Sequence, residues 1–363
     1  ALLINGTTLH SYLGIGLGNG SAEAMLTKIC KKRYLHKRWI ETEILIIDEI
    51  SMISGELFDK IEYIARMVRK SKKPFGGIQL ILSGDFCQLK PIKSELFCFE
   101  AESWEMCVDK IVNLKEIIRQ HNKTFQYCLN NIRQGIITDK VKGVFKKCIG
   151  KELVNDVGII PTELYSNNYL VDNINKTALN NLITENQMVY EYNLEFKNYG
   201  NNLDLSLQER YIKSCPASQK LELCKNCQVI LTYNIDLENK LVNGSRGIVV
   251  DFVDDLPLVR FLNGLERIID YNIWEIEEND QKMASITQIP LKLGYAMSIH
   301  KSQGCSLDYV IMDLTNTFDY GMAYVALSRV KSLDGLSIIG VNWAKVNINP
   351  KAKLFYEKIE NEI

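Results

Sequence analysis

Two short apolar runs stand out along the chain, Ile44 to Ile47 and Ile78 to Leu82, the first ending in Asp48-Glu49 and the second in Ser83-Gly84-Asp85. Runs of this length, continuous in apolar character and closed by polar residues, predict parallel strands buried on both faces. Between them Leu57, Ile61, Ile64, Ala65 and Val68 recur at three- and four-residue spacing, which predicts an amphipathic helix over residues 54 to 70. The same grammar returns near the C-terminus, with a strand over Tyr309 to Leu314, a helix over Gly321 to Val330 and a strand over Leu336 to Gly340. Two α/β units therefore bracket the chain. Residues 245 to 290 alternate β-rich runs (Gly247 to Phe252, Leu258 to Leu262, Arg267 to Tyr271) with Asp, Asn and Gly turns, the pattern of a small inserted all-β module. Residues 120 to 225 read mostly as amphipathic helix with Asn-rich connections.

Length and composition narrow the class without naming a function. A chain of 363 residues has room for two or three domains, and 46% hydrophobic with 24% charged residues excludes a disordered or membrane-embedded protein. With 43 basic against 44 acidic residues, a nucleic-acid partner has to be met by local clusters. Such clusters occur at Lys31-Lys32-Arg33, at His36-Lys37-Arg38, and at Arg66, Arg69, Lys70, Lys72 and Lys73. Interleaved with Tyr34 and Trp39, the first could track phosphates and stack bases; a solvated helix face is the alternative. Ten scattered cysteines read as reduced thiols of an intracellular protein. Cys224-Lys225-Asn226-Cys227 has the spacing of half a zinc site but no second pair. No apolar run approaches membrane-spanning length, and the start on Ala1 reads as a fragment cut on its N-terminal side.

In open α/β sheets ligands bind beyond the carboxyl ends of the strands, where Asp48-Glu49 stands. An acid there can hold Mg²⁺, and a neighbouring Glu can orient a water toward a phosphate; the plain alternative is a helix cap. Gly84 lets the backbone turn beside a ligand, and the Gln88 amide could sense a terminal phosphate. Arg119, after the run Ile111 to Ile118, and Arg329, near the end of Tyr324 to Arg329, could stabilise charge on a transferring phosphoryl group, or cap carbonyls. Ser298-Ile299-His300-Lys301-Ser302-Gln303-Gly304 is dense in hydrogen-bonding groups, suited to a DNA backbone on one side and a nucleotide on the other.

Taken in order, these segments resemble the helicase motifs of the Pif-one family, relatives of RecD within superfamily 1B, over nearly the whole chain. Gly6 to Gly16 is similar to motif Ia, with Tyr12 where Phe is common. Asp48 to Met52 is similar to motif II, and Gly84 to Ile92 to motif III, with Lys90 where a proline is usual. Arg119-Gln120 fits motif IV, Ser298 to Gly304 motif V and Tyr324 to Arg329 motif VI. Gln228 to Leu231 followed by Leu241 to Gly247 is similar to the family's entry into its β-barrel, which makes Cys227 structural.

The resemblance implies an α/β fold of two RecA-like P-loop NTPase domains with a small inserted β-barrel. Residues 1–118 would form the first domain, with 19–40 as a wedge; 119–247 and 291–363 the second; 248–290 the barrel. It implies an ATP- and Mg²⁺-dependent 5′→3′ DNA helicase, a monomer acting on single-stranded, forked or structured DNA in replication, repair, recombination or telomere maintenance, in the nucleus or mitochondrion of a eukaryote. Asp48 would bind Mg²⁺, Glu49 act as base and Gln88 as sensor, with Arg119 and Arg329 reaching in from the second domain. Gly84, Asp85, Gln303 and Gly304 would line the nucleotide; Thr8, His10, Ser11, Tyr12, Ser298, His300 and Lys301 would face DNA. One departure is large: no G-x-x-x-x-G-K-[ST] phosphate loop occurs, since Phe145 stands where its first Gly would precede Gly150-Lys151, and Glu152 follows. The expectation is poor ATP binding, and the alternative is an inactive DNA-binding or partner-binding chain.

Overall fold

The first two apolar runs pair as strands β1 (Ile44–Ile47) and β2 (Gln79–Leu82), parallel and in register from Ile44↔Gln79 to Ile47↔Leu82. Parallel partners need a crossover connection, and the predicted helix supplies it. Counting from the start of the chain, α1 (Leu9–Leu13), α2 (Ala22–Lys31) and α3 (Arg33–Glu41) precede β1, and α4 (Gly55–Arg69) is the crossover. Ser54 caps α4, its hydroxyl accepting the Leu57 N–H at 3.2 Å. The apolar stripe of α4, with Phe58, Ile61 and Ile64, packs with Ile29, Trp39, Leu45 and Ile47 into one core. The computed structural model describes residues 6–16, 18–91, 94–153, 160–183, 188–199, 205–278 and 281–362; Ile92, at the end of the motif from Gly84, lies outside them.

Burial of both strand faces is not what the structure shows. Ile44, Ile46 and Ile81 are 53%, 58% and 45% exposed, because the helices cover one face of β1 and β2 only. After the short helix α5 (Trp104–Cys107), the run Ile111 to Ile118 forms no regular element, and Leu114 and Ile118 are exposed. A cavity of about 1300 Å³ is lined by β2 and by residues 106–115.

Contact clustering divides the chain into two compact units, Ala1–Val141 with Thr317–Val325 and Trp343–Ile363, and Lys142–Asn316 with Ala326–Asn342. The C-terminal helix, Pro350–Glu362, expected with the second domain, belongs to the first unit. Phe355 stacks on Phe99 at 4.3 Å and meets Phe86 edge-on at 5.2 Å, burying the segment that follows β2 under aromatic rings. Below them Asp85 accepts two hydrogen bonds from Arg133, at 2.9 and 3.0 Å, at the end of α6 (Lys123–Arg133). The Tyr356 hydroxyl donates to the same carboxylate at 3.1 Å, the Cys87 N–H does so at 3.1 Å, and the Arg133 guanidinium lies 4.5 Å over the Tyr356 ring. Burial alone would raise the Asp85 pKa; the Arg133 charge and these hydrogen bonds outweigh it and hold the carboxyl below its usual range.

In the second unit, helix α7 (Asp139–Lys146) leads to β3 (Thr162–Tyr165) and α8 (Asn168–Leu182). β4 (Tyr190–Asn193), β5 (Glu195–Asn198), α9 (Leu205–Ser214), β6 (Lys220–Leu223) and β7 (Gln228–Leu231) follow. The region read as mostly helix therefore contains strands. Each spans four residues, too short to leave a periodic signal beside long helices.

The predicted β-rich region yields β8 (Arg246–Val253), β9 (Leu256–Phe261), β10 (Glu266–Ile268), β11 (Asn272–Glu278), β12 (Gln281–Gln288) and β13 (Leu291–Leu293). They form a five-stranded sheet in the order β10-β9-β8-β7-β13 and a three-stranded sheet in the order β11-β12-β5. Strands from either side of residues 248–290 complete both, so the module is woven into its unit. Gly247 is required where β8 crosses β9, since a Cβ there would sit 2.7 Å from the Arg260 carbonyl oxygen. The buried Arg246 beside it donates to Thr162 Oγ1 at 3.0 Å, tying the module to β3.

β14 (Ala296–Ser298), β15 (Val310–Leu314) and β16 (Leu336–Val341) join β3 in a parallel sheet of order β14-β3-β15-β16. Helix α10 (Met322–Ser328) carries the chain from the first unit into the second. Among the described residues no helix is long and apolar enough to cross a membrane.

Removing one partner of a buried ion pair strands the other, so Arg133→Ala should lower unfolding free energy by about 3 kcal/mol in chemical denaturation. Because the folded Asp85 pKa lies below its unfolded value, its contribution is present above the usual carboxylate range and is lost as pH falls through the folded pKa. Stability measured across that acid range should lose this component in Asp85→Asn. Gly321, at φ +73, places its Cα where a Cβ would press on the Cys87 carbonyl oxygen and lie 2.6 Å from that of Gln88. Gly321→Ala should cost at least ~2 kcal/mol, read by the same denaturation.

Candidate functional site

The register of β1 with β2 brings the residues after each strand to one edge. Ile50 N–H donates to the Ser83 carbonyl at 2.9 Å, and a Cβ on Gly84 would lie 2.9 Å from the Ile50 nitrogen. Gly84 is therefore demanded by the close approach of the two strand ends. Asp48 is exposed there. Glu49 is half-buried and adopts φ +53, a left-handed conformation that a residue with a side chain keeps only where its surroundings impose it. Ser51 is fully buried with no partner for its hydroxyl among the described residues.

Gln88 lies in the turn closed by its own N–H to the Asp85 carbonyl at 3.0 Å. Its Oε1 is buried and has no hydrogen-bond partner among the described residues. The neighbouring Asp85, expected to line the nucleotide, has both carboxylate oxygens engaged by Arg133, with Tyr356 and the Cys87 amide adding to one of them. It holds the turn that presents Gln88. Arg133, Tyr356 and Gly321 escaped the sequence reading, since an Arg in the last turn of a helix looks like a carbonyl cap and the other two stand far away in the chain.

On α1, Thr8 accepts the Ser11 N–H at 3.3 Å as N-cap, and Thr8, His10 and Ser11 are exposed. Tyr12 turns inward, its hydroxyl 3.0 Å from Thr42 Oγ1 and its ring under the Arg38 guanidinium at 5.2 Å. Arg38 also donates to the Tyr12 carbonyl at 2.8 Å, and Arg69 donates to the carbonyls of Trp39, Ile40 and Thr42. These two arginines of the basic clusters thus cap backbone, while Lys31, Arg33 and Lys37 remain exposed.

In the second unit β14 ends on Ser298, 3% exposed, whose Oγ has no partner among the described residues. Ser302 turns back to donate to the Ile299 carbonyl at 2.7 Å. Lys301 and Gly304 are exposed, and His300 and Gln303 are half-buried. Arg329 is 2% exposed and donates to Ser328 Oγ at 2.7 Å. Arg119, expected from the second domain, falls in the first unit and is exposed. Cys224 and Cys227 are fully buried, and no group of three or more His, Cys, Asp or Glu residues able to hold a metal occurs among the described residues.

The family profile described as PIF1-like helicase matches residues 1–143. The chain is 39% identical to the ATP-dependent DNA helicase PIF1 of Xenopus laevis over 99% of its own length and 56% of that protein's, so it spans little more than half of this relative. A crystal structure of Pif1 helicase from Candida albicans superposes with a TM-score of 0.87 at 37% identity, covering 98% of this chain and 86% of that one. The Bacteroides Pif1 helicase in complex with ADP-AlF3 and single-stranded DNA gives a TM-score of 0.72 at 27% identity, over 100% and 85% of the two chains. The two parallel-stranded cores are thus the RecA-like cores of these enzymes, and with the ordered motifs spread from Gly6 to Arg329 on that framework, the chain belongs to the PIF1-like helicase family.

Proposed function

We propose that the chain is the larger part of an ATP-dependent DNA helicase motor that moves 5′→3′ along single-stranded DNA and opens duplex or forked DNA. The observation that carries this reading is that Asp48-Glu49 and Ser83-Gly84 leave the carboxyl ends of two paired parallel strands, where Gly84 packs against Ile50. Nucleotides lie at that edge in open α/β sheets. The names of the relatives support it: one is an ATP-dependent DNA helicase, and another was crystallised with ADP-AlF3 and single-stranded DNA.

The residues present fit Mg²⁺ and ATP. Asp48 offers an exposed carboxylate at the strand end to hold Mg²⁺. Bound Mg²⁺ would neutralise charge on the phosphates. Glu49, half-buried beside Asp48, would orient the attacking water and accept its proton. The Gln88 amide would answer to the terminal phosphate through its Nε2–H donors. Arg119 and Arg329 would balance charge on the transferring group, and Gln303 and Gly304 would report the nucleotide to the DNA side. Thr8, His10, Ser11 and Lys301 present exposed groups suited to a phosphate backbone. Tyr12, Ser298 and His300 would support them from within.

None of these 363 residues forms the G-x-x-x-x-G-K-[ST] phosphate-loop pattern. The same missing pattern favours a second reading, a chain that binds DNA or a partner without turning over ATP.

Hydrolysis of ATP separates the two. The chain alone should show almost none, whereas the chain preceded by a family phosphate-loop segment should show DNA-stimulated hydrolysis that falls at least ~100-fold in Glu49→Gln. Equal rates with and without that substitution would sink the helicase reading. Duplexes with a 5′ or a 3′ single-stranded tail then test direction, and opening of the 5′-tailed duplex alone is expected.

A further inference from the structure

Tyr233 lies two residues beyond the end of β7 and stands 43% exposed. Its ring meets that of Trp274, half-buried on β11, edge to face at 6.0 Å between centroids. An aromatic pair left open to solvent offers a face on which a flat ring can stack. Polar atoms flank the pair. Thr232, 4% exposed, has no partner for Oγ1 among the described residues, and neither has the buried Nδ2 of Asn272, which shares a strand face with Trp274. Buried polar atoms of this kind are ordinarily hydrogen-bonded, so a donor and an acceptor are held ready beside two rings. A nucleobase meets both requirements.

The hairpin that presents Tyr233 also adjoins the segment after β14. Asn234 Oδ1 accepts the Asn243 N–H at 2.7 Å, and the Gly244 N–H donates to the Leu231 carbonyl at 2.9 Å, which fixes the hairpin's ends. A Cβ on Gly244 would lie 3.9 Å from Cys305 Sγ, itself 3.9 Å from the Lys301 carbonyl oxygen. Lys292 on β13 lies in the same neighbourhood; burial lowers its pKa first, and the like charge of Lys301 lowers it further. Two ammonium groups that repel each other gain from an anion placed between them. Of the nearby acids, Asp236 accepts the N–H and Nδ2 of Asn239, and Glu275 pairs with Lys282.

We propose that Tyr233 and Trp274 form a base-stacking site for single-stranded DNA, continuous with a phosphate track at Lys292 and Lys301. The proposal rests on the DNA-binding reading above and adds to it a place where bases, rather than the backbone, are gripped.

The test titrates the 363-residue chain with two probes of equal length, an oligothymidylate and an oligonucleotide of abasic sites, following tryptophan emission and probe anisotropy. Stacking predicts that oligothymidylate quenches emission and that Tyr233→Ala weakens its binding by about tenfold while leaving the abasic probe unchanged. Tyr233→Phe should restore binding, and Trp274→Phe should keep affinity but remove the quench. If Tyr233→Ala binds oligothymidylate as tightly as the parent chain, or loses both probes equally, the stacking site is wrong while DNA binding stands. If the parent chain binds neither probe, the DNA-binding reading falls as well.

Discussion

Parallel pairing of β1 with β2 is the constraint from which the first unit's chemistry follows. Antiparallel partners would send the residues after each strand to opposite ends; parallel partners send them to the same end. Ile50 then meets Ser83, and only a glycine fits at position 84. Every further group at that edge has to be anchored from outside the two strands, because a sheet of four-residue strands has little of its own to hold a loop. Asp85 provides the anchor. Its carboxylate is tied to α6 through Arg133 and to the C-terminal helix through Tyr356, so segments separated by more than two hundred residues close on one turn. The turn is rigid where Gln88 leaves it.

A pattern runs through the polar groups at both motif-bearing edges. Asp85, Arg246 and Ser302 are satisfied within the protein, and each holds a backbone segment in place. Gln88 Oε1, Ser51 Oγ and Ser298 Oγ are buried without partners among the described residues, the first two in segments that follow a sheet strand and the third at a strand's last residue. Leaving a buried polar atom unmet costs roughly 1–3 kcal/mol, so such atoms concentrate where a ligand or a second conformation meets them. The division between satisfied and unsatisfied groups therefore separates residues that build the edge from residues available to act at it.

Strand and helix signals with strong periods were legible: β1, β2, α4, β15 and β16 lie within a residue or two of where the apolar pattern put them. Local pattern failed where tertiary pairing decided. Thr162–Tyr165 is a central strand of the second unit's sheet, yet four residues among helices leave no period to read. The strand pair was read as buried on both faces because its apolar run is continuous, and continuity cannot say which face a neighbour covers. At the site, Asp48, Glu49, Gly84 and Gln88 were legible as residues placed just after strands, a property of local order. Asp85 was read as lining the nucleotide; its structural partners, Arg133 and Tyr356, lie 48 and 271 residues away, beyond what local order shows. Tyr12 and Arg38 show the same limit: in sequence they stand in segments that could face DNA, and in the fold they hold α1 against α3.

Net charge explains why these distinctions matter. A chain with 43 basic and 44 acidic residues gains no general attraction to a polyanion, and several of its arginines serve the fold. Single-stranded DNA would then have to be held by few phosphate contacts and by a term that salt does not screen. Stacking on exposed rings is such a term, since it depends on the π-faces of the bases and not on the ionic atmosphere. The β-module would be the place for it: its strands are woven through β5, β7 and β13 into the unit that carries the motif around β14, so a base seated on the module and a phosphate held beside Lys301 would be fixed to one framework. A strand of DNA gripped at both points would keep a defined register on that unit, which is what the proposed movement along DNA would require between steps.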